Sequence, residues 1–158
     1  MDFYPSISEK LLSEALNYGK QFIAISEDDR EIIMHVRKSL LFDNNTSWIK
    51  KDGASMFDVT MGSFDGAEIC ELIGLFVLYK LNEKFKRGNI GLYRNDGLAA
   101  VKNLNGRAAD KTRREFTKIF GALGLKITVQ SDLKVADFLD VALNLNNGKN
   151  YPFRKPDN

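Results

Sequence analysis

The 158-residue chain reads as an α+β domain in which helices pack on one face of a small, mainly antiparallel sheet. Three observations carry that expectation. Apolar residues recur at helical spacing through the first half, and the period shifts to strand-like alternation near residue 90. Turn-forming clusters at Asn44-Asn45, Asn95-Asp96-Gly97 and Asn147-Gly148 separate the short segments. No repeat, low-complexity run or Pro/Gly-rich linker divides the chain, so residues 1–158 are expected to form one domain.

Ser6-Ile7-Ser8-Glu9 reads as a capping box for a first helix carrying Leu11, Leu12, Ala15 and Leu16, with Phe22 and Ile23 beyond. Ser26, Asp28 and Asp29 open a second helix whose apolar face is Ile32, Ile33, Val36 and Leu40. His35 falls beside that face and reads as a surface or boundary residue. Asn44-Asn45 and Asp52-Gly53 punctuate a stretch with Trp48 and Phe57, either a short hairpin or a covered loop. A third helix spans about Gly66 to Phe85; Ile69, Leu72, Ile73, Phe76, Val77, Tyr79 and Leu81 lie so widely around it that central burial is expected.

Segments 90–94 and 98–102 flank Asn95-Asp96-Gly97 as two strands of a tight hairpin. Asp110 is expected to cap a basic amphipathic helix running to about Leu123. Phe116, Ile119 and Phe120 point inward, with Lys111, Arg113, Arg114 and Lys118 largely outward, and Gly121 and Gly124 end it. Leu125–Val129 reads as a strand. Val135–Leu145 reads as another, with Val135, Leu139, Val141, Leu143 and Leu145 on one parity, and Asn147-Gly148 turns it back toward Tyr151 and Phe153.

Composition excludes several classes. One cysteine, Cys70, closes no intramolecular disulfide, and one histidine leaves no Cys/His set for zinc. Leu72–Tyr79, the longest uncharged apolar stretch, is far shorter than the ~20 residues of a membrane helix, and Met1-Asp2 opens no signal peptide. The expectation is a soluble protein inside the cell, cytoplasmic or nuclear. Charge is partitioned: residues 1–79 carry 7 basic against 13 acidic side chains, residues 80–126 carry 12 against 4, and residues 127–158 carry 4 against 4. The basic segment permits a phosphate-facing patch; it is equally what exposed helix faces rich in lysine look like.

Asp96 reads on spacing either as a plain turn residue or as a carboxylate held clear of the sheet where a hard metal ion could bind. Tyr93-Arg94-Asn95-Asp96-Gly97-Leu98 is similar to the Tyr-x-Asp-Asp box of reverse transcriptases, in which two aspartates at a hairpin tip help bind two catalytic magnesium ions. Phe3-Tyr4-Pro5-Ser6-Ile7 resembles the end of the first palm motif, whose aromatic residue gates the sugar of the incoming nucleotide. Met61-Gly62-Ser63 resembles the Gln-Gly-Ser turn that leads into the long palm helix. Gly124-Leu125-Lys126-Ile127 resembles the fourth motif with its lysine near the triphosphate. Phe138-Leu139-Asp140-Val141 and Tyr151–Pro156 are similar to the segment C-terminal to the palm in Penelope-like elements.

The resemblance implies a ferredoxin-like palm of a retroelement reverse transcriptase, an RNA-directed DNA polymerase and nucleotidyltransferase. It implies a catalytic position at Asp96, Asn95 and Lys126 with Mg²⁺ at Asp96 and Lys126 at the leaving phosphate, nucleotide contact at Tyr4, Gly62 and Ser63, and primer-template contact by Arg94, Lys111, Arg113, Arg114 and Lys118. Two departures bear on activity. The first motif's aspartate, five residues before the aromatic gate, is absent, and Asn95 replaces the first aspartate of the paired box. Fingers and thumb are also expected to be missing. The expectation is therefore a palm with impaired catalysis and weak Mg²⁺ binding. The alternative is a non-catalytic module that binds nucleic acid, a protein partner or a second copy of itself on the same scaffold.

Overall fold

The structure, a computed structural model, describes residues 6–38, 41–48, 57–59, 62–86, 88–101 and 106–153. Helix α1 spans Glu9–Gly19, and its N-cap is Ser8, whose hydroxyl accepts from the Leu11 N–H at 3.1 Å. The expected box at Ser6–Glu9 is thus replaced by a one-sided cap at Ser8, because the residue at its third helical position, Leu11, has no polar side chain to return a bond. The helix stops at Gly19, so Phe22 and Ile23 fall outside it and are exposed.

Helix α2 (Glu27–Val36) has the capping box at Ser26 and Asp29, with reciprocal bonds of 3.0 Å. Its expected apolar face is not buried: Ile32 is 62% and Val36 53% exposed, while Ile33 and Met34 pack partly on the core; Leu40 lies outside the described residues. Strands β1 (Leu41–Asp43) and β2 (Thr46–Trp48) form a hairpin around Asn44-Asn45. Both turn residues have positive φ, 48° and 61°, which asparagine tolerates better than most side chains. Asp52-Gly53 lies outside the described residues.

Helix α3 (Gly66–Asn82) runs through the core. Ile69, Cys70, Ile73, Phe76, Val77 and Leu81 are buried against Leu11, Leu12 and Leu16 of α1, as the wide apolar arc requires. Tyr79 lies at its surface. Strands β3 (Ile90–Tyr93) and β4 (Asp96–Ala99) pair antiparallel, with Tyr93 opposite Asp96, and α3 packs against this hairpin. Helix α4 (Gly106–Ala122) packs against α3 through its buried Phe116 and Phe120. Asp110 is not its cap; the helix begins four residues earlier. The end is a Schellman turn: Leu125 N–H donates to Phe120 O at 2.9 Å, Gly124 N–H to Gly121 O at 3.0 Å, and Gly124 takes φ of 75°.

The expected strand at Leu125–Val129 is not formed. None of Ile127 to Ser131 makes a backbone hydrogen bond among the described residues. The single strand expected over Val135–Leu145 is instead a hairpin, β5 (Val135–Phe138) and β6 (Val141–Asn144), folded at Leu139-Asp140 with Leu139 at φ 55°. Asn147-Gly148 does turn β6 back onto β7 (Lys149–Pro152). The class is α+β as expected. Among the described residues, however, the strands pair as two hairpins and one three-stranded meander rather than as one sheet.

Candidate functional site

The β3–β4 turn is made by Arg94 and Asn95, not by Asn95-Asp96-Gly97. Arg94 takes φ of 51°, its guanidinium carbon standing 5.5 Å from the centre of the Tyr93 ring. Asp96 is the first residue of β4, so its carboxylate leaves a strand rather than the turn tip. Gly97 sits inside β4, where a Cβ would come within 2.8 Å of the end of the Leu92 side chain, its cross-strand neighbour.

This turn forms one wall of a cleft of about 730 Å³. Val77, Phe116, Phe120, Ile127 and Val129 give it an apolar floor, and β4, α4, the segment 127–133 and the β5–β6 hairpin complete its sides. Of the residues expected to function, Arg94, Asn95, Asp96 and Arg113 meet here. Arg113 donates to Asp110 Oδ1 from Nε at 3.0 Å and from Nη2 at 2.7 Å, sharing that one carboxylate with Arg114. Those bonds, together with the nearby Arg114, hold the Asp110 carboxyl below its usual range. Asp132 and Asp137 also line the cleft. Sequence reading missed both, because neither stands in a recognisable motif.

The other expected residues are distributed elsewhere. Lys111, Arg114 and Lys118 are exposed on α4, away from the cleft. Arg114 reaches Asp110 Oδ2 at 2.7 Å, while Lys111 and Lys118 bracket Glu115, whose carboxyl is lowered chiefly by its hydrogen bond from Lys84. Lys126 is exposed just after the Schellman turn and does not line the cleft. Gly62, with φ of 91°, and Ser63 shape the turn entering α3, also apart from it. Tyr4 lies outside the described residues.

Sequence reading also missed the ion pair behind that turn. Arg37, 2% exposed, donates from Nη2 to Asp65 Oδ1 and from Nη1 to Ser63 Oγ at 3.5 Å. Asp65 stands at the N-cap of α3 yet makes no side-chain capping bond, because Arg37 takes its carboxylate. A partner 28 residues away leaves no local signal.

A two-magnesium centre does not fit the donors described. Asp96 has neutral Asn95 beside it, and among the described residues no three carboxylate, thiol or imidazole groups gather closely enough to hold a metal ion. No described helix is long and apolar enough to cross a membrane. The chain matches no protein-family model, no curated protein and no solved structure.

Proposed function

We propose that the chain is a nucleic-acid-binding module on a ferredoxin-like palm scaffold of reverse-transcriptase type, without nucleotide incorporation of its own. One observation carries the binding half of this reading: α4 buries Phe116 and Phe120 while holding Lys111, Arg114 and Lys118 in solvent. A rigid helix presenting cations outward suits phosphate contact, which fixes position without reading sequence. The element order supports the scaffold half. A buried helix, a hairpin bearing the Arg94-Asn95-Asp96 box and a second helix succeed one another in the order the palm resemblance implies.

The test is anisotropy of a labelled primer-template duplex at two salt concentrations. Affinity should fall steeply with salt and vary little with sequence. Replacing Lys111, Arg114 and Lys118 together with alanine should reduce the salt slope by roughly one unit per lost phosphate contact. An unchanged slope would remove the assignment of α4. Arg113→Ala should change the slope less, because that guanidinium lines the cleft and is held by Asp110 through two nitrogens, whereas Arg114, which pairs with the same carboxylate, is three-quarters exposed.

A further inference from the structure

Among the described residues, two stretches of backbone that line the cleft leave some of their hydrogen-bonding groups without a partner. In the β3–β4 hairpin the hydrogen-bonded pairs fall at Tyr93/Asp96, Gly91/Leu98 and Asn89/Ala100, the last marked by the Ala100 N–H on Asn89 O at 2.8 Å. By alternation, Gly97 and Ala99 turn their N–H and C=O groups away from β3. Ile127 to Ser131, which also line the cleft, have no regular secondary structure and make no backbone bonds among the described residues. Unpaired edges of this kind are templates for another strand.

We infer that the cleft is the docking site of an extended peptide segment of a partner protein, one alternating apolar and basic side chains. Such a strand would pair with the outer edge of β4 and with the segment 127–131, a recognition mode in which backbone bonds supply affinity and alternate side chains supply specificity. Its inward residues would meet the apolar floor of Phe116, Phe120, Ile127 and Val129. Its outward residues would meet the rim, where among the described residues three carboxylates, Asp96, Asp132 and Asp137, stand with two guanidiniums, Arg94 and the Asp110-bound Arg113. That balance favours lysine or arginine. The inference does not rest on nucleic-acid binding, which concerns the outer face of α4.

An acetylated octapeptide alternating valine and lysine is the probe, with its valine–glutamate counterpart as control, titrated by anisotropy against the full chain. The lysine peptide should bind at least about tenfold more tightly, and on binding it should shift the amide resonances of Gly97, Ala99, Ile127 and Val129. Asp132→Asn with Asp137→Asn should reduce affinity about tenfold, and Ala99→Pro, which removes an outward N–H, should abolish binding. Should Ala99→Pro unfold the chain, a peptide N-methylated at alternate residues blocks pairing from the ligand side and should not bind. Equal affinity for both peptides, shifts confined to other residues, or full binding of the methylated peptide would each overturn the inference.

Discussion

Arg37 is the residue whose environment departs furthest from its chemistry: a guanidinium buried under α2 and α3, with Asp65 as its one carboxylate partner among the described residues and its Nε without a hydrogen bond there. Burying a charge is costly unless it is matched, and removing one member of such a pair leaves the other uncompensated. Asp65→Ala should therefore destabilise the fold by about 3–5 kcal/mol. Arg37→Met, which keeps most of the volume and removes the charge, should cost less, because Asp65 is one-third exposed and can be hydrated. Denaturant unfolding of the two variants checks the order; a larger loss for Arg37→Met would mean that packing rather than charge holds the junction. Leu139 shows strain of another kind. At φ 55° in the β5–β6 turn it bears a Cβ where glycine would be unhindered, so Leu139→Gly should raise the denaturation midpoint by an amount worth about 1 kcal/mol.

Helix α4 concentrates the electrostatics. Its surface pairs, Asp110 with Arg113 and Arg114, and Glu115 with Lys84, lower both carboxyls from their ordinary values. A carboxyl with a depressed folded value contributes stability at neutral pH, and that contribution is lost as pH falls through the folded value. The acid limb of the stability profile should therefore begin at about pH 4 and below. Asp110→Asn should flatten that limb when circular dichroism melts are compared across pH. If the limb is unchanged, the pairs contribute nothing, which is common for ion pairs at this exposure. The C-terminal end depends on backbone instead, since the Schellman turn needs Gly124 at φ 75° and brings Leu125 into the core beside Phe120.

At the scale of the molecule, one core built from α1, α3 and α4 supports a hairpin that carries the box resembling the polymerase signature. Phosphoryl transfer by two metal ions needs several converging carboxylates. With Asn95 neutral and Asp96 without two companions among the described residues, magnesium-dependent primer extension on an RNA template should be undetectable. Asn95→Asp should tighten Mg²⁺ binding, read by calorimetry, without producing extension. Extension by the unaltered chain would show that the metal ligands lie at other residues.

What the amino-acid order determined by itself was local. The apolar arc of Ile69 to Leu81 made α3 a central helix in any packing, Ser26 with Asp29 fixed the start of α2, and Asn44-Asn45 and Asn147-Gly148 fixed two turns, because capping and positive φ act over a few residues. Composition likewise set the basic character of α4. Pairing was decided only in three dimensions. The alternation at Leu125–Val129 suits a strand, but a strand exists only where a neighbour supplies its hydrogen bonds, and none is there among the described residues. Val135, Leu139, Val141, Leu143 and Leu145 share one parity, yet folding at Leu139 lets β5 pair with β6 and buries Ala136 and Ala142 of the other parity, satisfying backbone groups that one long strand would leave open. The cleft, the rim aspartates and the buried Arg37 belong to the same category: each joins residues distant in sequence, and no periodicity records a contact of that kind.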